Sequence, residues 1–307
     1  MKKAFTLIEL IVVVGIIMIL SASLLVVAGG ATESARASKC QANMRNLAQA
    51  CYTIAMKDPY KRYPHAGSAE YVDVKKTGHR YEKFYGENKG WISWLSNTTQ
   101  DGDSYYRSNP APTSHRANEY AGCFSSFSDV NYAYTNGAVW TAVAGNTSCY
   151  KCPTMLKKCK EKYGSREMAW SYVMNSAFGY DWSHGGDTTD TPHSGKTAGS
   201  MKRADRTLLF AEIDLENLAG GGNGDYTADC VLEYDSGNGG NREKIGFNHK
   251  FQKTMCAHVA FADGHVERIL QPKSGNLYDL TKWLCEGYDV TFANGEYRQE
   301  KDSIDED

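Results

Sequence analysis

The chain opens on MKKAFTLIELIVVVGIIMILSASLLVVAGG, where an apolar run from Phe5 to Ala28 carries a single acid, Glu9. A helix of about 20 residues, rising 1.5 Å at each, covers the roughly 30 Å hydrocarbon core of a bilayer, and this run is long enough. A carboxylate within such a run is costly unless something neutralises it. Glu9 is therefore read as a functional residue in search of a partner.

Three kinds of segment share this outline. A secretory signal peptide has a basic start, an apolar stretch of about 7–15 residues and a small-residue cleavage site. Lys2 and Lys3 fit that start, but the run is too long and the acid is out of place. A plain signal anchor explains the length and the cytoplasmic lysines, yet gives Glu9 no role. Lys2-Lys3-Ala4 followed by Phe5-Thr6-Leu7-Ile8-Glu9-Leu10 resembles the leader of type IV prepilins and pseudopilins. The resemblance implies cleavage between Ala4 and Phe5 by a prepilin peptidase and N-methylation of Phe5. It also implies that Glu9 meets the N-terminal ammonium of a neighbouring subunit as a filament grows. Opposite charges attract more strongly in a low-dielectric setting than in water. Ala4 stands where the family usually has Gly.

After the leader, about 280 residues remain, enough to bury a core of their own. A net charge of -2 argues against nucleic acid as a partner. Twenty Tyr, 29 Gly and six Trp with a negative mean hydropathy describe a soluble, loop-rich head. Nine cysteines (Cys40, Cys51, Cys123, Cys149, Cys152, Cys159, Cys230, Cys256 and Cys285) predict disulfides if the head reaches an oxidising compartment. Their odd number leaves a free thiol or an intermolecular bridge.

Beyond Ala31 the helical pattern becomes amphipathic, with Cys40, Met44, Leu47, Cys51 and Ile54 on one face. The helix is expected to reach about Met56 and stop before Pro59. Gly29-Gly30 reads either as a joint or as the mark of membrane exit. Cys40 and Cys51 lie about 16 Å apart along such a helix, too far to bridge, and both are read as core. Residues 59 to about 135 show little periodicity apart from an apolar island at Trp91, Ile92, Trp94 and Leu95. Strands are expected at 138–143, 169–174, 207–213, 256–262 and 265–269. The last two flank Asp263-Gly264, read as a two-residue hairpin loop with Phe261 opposite Val266. Leu277, Leu280 and Leu284 predict a helix starting after Asn276 and stopping at Gly287.

The C-terminal half carries a second resemblance, on Lys151-Cys152-Pro153, Ser171-Tyr172-Val173-Met174-Asn175, Asp205 to Glu212, and Val259-Ala260-Phe261-Ala262-Asp263-Gly264-His265-Val266. In this order behind a prepilin leader, these blocks resemble pseudopilin-like proteins with the prepilin-associated H-X9-DG domain. The family's histidine falls on His249, with thirteen residues between it and Asp263 rather than nine, and His258 replaces a family Asn.

Each chemical motif has a structural reading beside it. Asp263, with His249, His258 and His265 nearby, suggests a metal or catalytic site, but Asp-Gly also simply makes a turn. His258 and His265 share a face if both sit on strands. Cys149-x-x-Cys152 with Cys159 suggests zinc or redox chemistry, against a structural disulfide, which is the preferred reading. Asp214, Glu216, Asp225 and Asp229 flank a glycine-rich loop and offer oxygen ligands for calcium, against a solvated acidic loop. No metal or cofactor is assigned, and no hydrolase elbow, phosphate loop or zinc-protease helix occurs.

These observations define an α+β chain, with a long N-terminal helix packed on a C-terminal antiparallel β-sheet in a pilin-like way and large loop-rich insertions. Residues 1–4 form the leader, 5–28 the membrane and filament-core helix, and 29–57 its amphipathic half. Residues 58–299 form the head and 300–307 an acidic tail, expected to be disordered. The expected function is a non-enzymatic subunit or minor pseudopilin of a type IV pilus or type II secretion-like filament. Its partners are prepilin peptidase, other pilin-type subunits and the inner membrane; its head faces the periplasm or exterior, and it reaches the cell surface after assembly. A non-polymerising anchored binding protein and a surface hydrolase are the alternatives.

Overall fold

A computed structural model describes residues 6–64, 66, 90–92, 134–135, 137–163, 168, 170–178, 196–214, 231–232, 234 and 243–300, and the backbone alone at 22–29, 163 and 231. Helix α1 spans Leu7–Lys57 without a break, so Gly29 and Gly30 are helical. Thr6 caps it: its hydroxyl accepts from Glu9 N, while the Glu9 carboxylate accepts from Thr6 N at 2.8 Å. At the other end Asp58 takes the extended conformation that a following proline demands.

The two halves of α1 differ in their surroundings. Large apolar side chains from Leu7 to Leu20 are 40–76% exposed. Cys40, Met44, Leu47 and Cys51 are fully buried, as the periodicity predicts, and Ile54 is half-buried. Among the described residues no helix is long and apolar enough to cross a membrane. The side chains at 22–29, which continue the apolar run of the sequence, lie outside the described residues.

Downstream of α1, a 3-10 turn (Thr147–Tyr150) leads into α2 (Pro153–Tyr163). Strands follow at Tyr172–Asn175 (β1), Leu208–Glu212 (β2), Val231–Leu232 (β3), His249–Phe251 (β4), Thr254–Phe261 (β5) and Val266–Leu270 (β6). They form one sheet in the order β3-β1-β2-β5-β4, with β6 also on β5. All pairings are antiparallel except β1 with β3. Strands β2 and β4 pair in succession along the same edge of β5, because β6 occupies the other edge. Helix α3 (Leu277–Glu286) follows, capped by Asn276 and ended by Gly287 in the left-handed conformation, as expected. A hairpin of Val290–Ala293 (β7) and Glu296–Gln299 (β8) ends the described chain. Every residue of β2 is buried, because α1 and α3 both pack against it. This is the expected α+β plan of a helix on an antiparallel sheet.

Three local expectations change. Residues 138–143 form successive turns rather than a strand, with Trp140 N bonded to Gly137 O and Val143 N to Val139 O. Gly137 lies so close to Trp91 that a Cβ there would stand 2.6 Å from its carbonyl oxygen, which folds the segment onto the buried Trp91–Ile92 island. Trp94, Leu95 and the acidic tail from 301 lie outside the described residues. Between β5 and β6, Phe261 and His265 close a three-residue turn at 262–264. Phe261 N donates to His265 O, and Gly264 takes φ +93°, so Phe261 faces His265 and Val266 faces Ala260.

The tightest backbone approach lies beside β2. A Cβ on Gly246 would stand 2.2 Å from the carbonyl oxygen of Ile213, and Gly246 N donates to Glu212 O at 2.9 Å. Since backbone cannot yield as a flexible side chain does, Gly246→Ala is expected to cost about 1–3 kcal/mol. A lower denaturant midpoint with unchanged slope would register it.

Candidate functional site: a buried cluster beneath the helix

The sheet register determines which polar side chains meet. Tyr172 on β1 pairs with Glu212 on β2, and the Ala211–Val259 pairing brings Glu212 next to His258 on β5. His249 opens β4 opposite Cys256, two residues from His258 and therefore on the same face of β5. Helix α1 covers this region and contributes Cys40. From a second part of α1, Asn43 Nδ2 donates to the carbonyls of Ser148 (2.8 Å) and Lys151 (2.9 Å), clamping the turn that delivers Cys152. Ser171 Oγ accepts from Cys152 N and completes that positioning.

Cys40, Cys152, Glu212 and His249 thus converge from four elements of the fold. All four are buried, and one ligand atom from each lies within 4.8 Å of all the others. The Cys40 thiol donates to Glu212 Oε1 at 2.6 Å, His249 Nε2 is 2.7 Å from the same oxygen, and Nε2 is 3.3 Å from Cys152 Sγ. Glu33, on the helix above, lies 3.2 Å from His249 Nδ1 and accepts from Thr154 Oγ1 at 2.8 Å. Asn248 Nδ2 holds the other Glu212 oxygen at 3.1 Å, and Tyr172 OH donates to Cys40 Sγ at 3.4 Å.

Burial opposes ionisation of Glu212, but the charge and hydrogen bond of His249, with His258 3.7 Å away, overcome it and hold the carboxyl far below the usual range. Burial likewise opposes a charged His249, yet the Glu212 carboxylate and the Cys152 and Glu212 hydrogen bonds push it up to about 11. Burial raises the Cys40 thiol, reinforced by Cys152 and the Glu212 charge. A fully buried carboxylate facing an imidazolium is the pair that these directions describe.

Several sequence candidates have other roles. Asp263 is a turn residue: its Oδ1 accepts from His265 N at 3.0 Å and lies 2.5 Å from His265 Nδ1. His265 is part-exposed and stacks on Phe261 at 4.5 Å, whereas His258 is buried with its ring 4.3 Å from that of His249. His258 and His265 do not share a face: His258 pairs with Arg268 while His265 stands opposite Phe261, three residues along β5, and His258 meets His249 instead. No disulfide joins any two of the seven described cysteines, all of which are buried; Cys123 and Cys230 lie outside the described residues. Within Cys149-x-x-Cys152 the two residues diverge: only Cys152 enters the cluster, and Cys149 packs near Asn46. Cys40, read as core from its helical spacing, belongs to the polar cluster.

Of the calcium candidates, Asp214 is paired with Lys244 at 3.0 Å, while Glu216, Asp225 and Asp229 lie outside the described residues. Asn175 is structural, its Nδ2 donating to the carbonyls of Leu208 and Cys285. Pro153 begins α2, and Gly264 supplies the turn. Ala4 and Phe5 lie outside the described residues, and Glu9 caps its own helix. Sequence reasoning missed Glu33 and the joining of Cys40 to Glu212. Helical spacing alone gave no signal for either.

The prokaryotic N-terminal methylation motif matches residues 1–25, which defines the opening of the chain as a type IV prepilin- or pseudopilin-like leader. The match covers the leader and not the head, and it supports reading the chain as a pilin- or pseudopilin-like precursor. Neither a curated protein nor a solved structure matches the chain.

Removing one partner of a buried charge pair leaves the other uncompensated, at about 3–5 kcal/mol. Glu212→Ala is therefore expected to destabilise the head by that amount. Chemical denaturation of the detergent-solubilised chain measures it, and a change under about 1 kcal/mol is what an exposed pair would give instead.

Proposed function

We propose that the chain is a structural subunit or minor pseudopilin of a type IV pilus or type II secretion-like filament. The methylation motif over residues 1–25, leading into a helix whose apolar side chains are exposed on all sides, carries this reading. A helix that is apolar all round needs an apolar environment. The inner membrane supplies it before assembly and the packed helices of neighbouring subunits supply it afterwards. In this reading prepilin peptidase cuts between Ala4 and Phe5, Phe5 is methylated, and the Phe5–Ala28 segment crosses the membrane once. The head then lies in the periplasm and later on the filament surface.

Glu9 is the assembly residue of this mechanism. In the isolated chain its carboxylate accepts from Thr6 N and Thr6 Oγ1, at 2.8 and 2.7 Å. The same carboxylate becomes the acceptor for the new N-terminal ammonium of an adjacent subunit. The C-terminal blocks from Cys152 to Val266 support a pilin-like head of the H-X9-DG kind, and the reading gives that head a non-enzymatic role.

Two measurements test the reading. A contact worth about 1.4 kcal/mol changes an association constant tenfold, so Glu9→Ala is expected to reduce sheared filament material by tenfold or more while membrane insertion persists. Undiminished filaments would remove the assembly role. Mass spectrometry of the native protein is expected to find a mature chain starting at methylated Phe5; an uncut start at Met1 would favour an anchored protein that never polymerises.

A further inference from the structure

We propose that Cys40, Cys152, Glu212 and His249 form a structural zinc site that fastens α1 to the sheet. The inference is independent of filament assembly, since it concerns how the helix is held to its own head.

The donor set comes first. Two thiols, one imidazole and one carboxylate are a complement that suits zinc, and four protein ligands with no open position mark a structural site rather than a catalytic one. The geometry is convergent. His249 Nε2 faces both Cys152 Sγ and Glu212 Oε1, and Glu212 Oε1 faces both Cys40 Sγ and Nε2. Each of these two atoms faces two of the others, so the four aim at a common centre rather than forming separate pairs. Tetrahedral zinc with bonds near 2.0–2.3 Å sets its ligand atoms about 3.3–3.8 Å apart, within the 4.8 Å that bounds this group. Side-chain shifts of about 1 Å open the shorter contacts to that spacing.

The surrounding shell is built for the same purpose. The Nδ1 of a zinc-bound histidine commonly donates to a carboxylate, which fixes its tautomer and orientation. Glu33 stands 3.2 Å from His249 Nδ1. Asn248 holds Glu212 Oε2, leaving Oε1 turned inward, and Tyr172 OH reaches Cys40 Sγ. His258 stands at the rim of the group. It is fully buried, neither ring nitrogen has a hydrogen-bond partner among the described residues, and its Nδ1 lies 3.7 Å from Glu212 Oε1.

The consequence is mechanical. Cys40 lies on the helix carrying the leader, Cys152 precedes α2, and Glu212 and His249 belong to the sheet. One ion therefore ties the segment that would be pulled on to the three parts of the head that would resist.

Elemental analysis of the full chain, purified in detergent from zinc-supplied cells without chelator, tests the proposal. One zinc per chain is expected, with cobalt replacing it to give thiolate charge-transfer and tetrahedral d–d absorption. Cys152→Ser should abolish stoichiometric zinc, whereas Cys149→Ser, which changes the neighbour outside the cluster, should retain it. Should Cys152→Ser fail to fold, the cobalt spectrum of the unaltered chain decides alone. Absence of both zinc and a thiolate–cobalt band overturns the site. So does a Cys40–Cys152 disulfide in a non-reducing peptide map, or zinc retained by Cys152→Ser and lost from Cys149→Ser.

Discussion

The contact between Glu212 and His249, at 2.7 Å and wholly buried, is the interaction around which the head is organised. A carboxylate at the end of one strand and an imidazole at the start of another meet only because both strands share an edge of β5. Removing either charge from water is costly, so each must be satisfied by something equally fixed. The satisfying groups come from everywhere the chain has been: Glu33 and Cys40 from the helix, Cys152 from the turn before α2, Asn248 from beside β4. The pair therefore adds a polar tie between elements that the sheet and the apolar core also hold together.

The long helix is read differently along its two halves. From Cys40 to Ile54 its apolar stripe packs on the head, and Asn43 and Cys40 add polar contacts within that packed stretch. From Leu7 to Leu20 the same helix presents large apolar side chains to solvent on every side, at exposures no stable surface helix carries without a partner. The head thus holds its own end of the helix firmly and leaves the other end available. Such a division suits a subunit that is mounted by its N-terminus and displays its C-terminal mass.

Local signals were legible wherever short-range physics decides. The end of α1 follows from Pro59 and a four-three spacing; α3 follows from Asn276, its leucines and Gly287; β5 and β6 follow from apolar runs around Asp-Gly. The strand expected at 138–143 fails because its apolar content packs on Trp91 across a long sequence distance, which no local pattern reports. The three-residue hairpin loop differs from the two-residue expectation because Gly264 takes its positive φ after, rather than within, a two-residue turn. The disulfide expectation rested on cysteine number, whereas the fold buries the seven described cysteines with no disulfide among them.

By itself the sequence determined how the chain begins: length, apolarity and the placement of Glu9 are properties of consecutive residues, and the methylation motif is recognised from them alone. It also determined the helix-on-sheet class, because period and capping are local. Only the tertiary structure decided the candidate site. Cys40, Cys152, Glu212 and His249 are spread over more than two hundred residues, and strand register and helix seating bring them within 4.8 Å. Cys40 in particular looked like any other buried position of an amphipathic helix. What distinguishes it is the carboxylate it faces, and that is set by the fold.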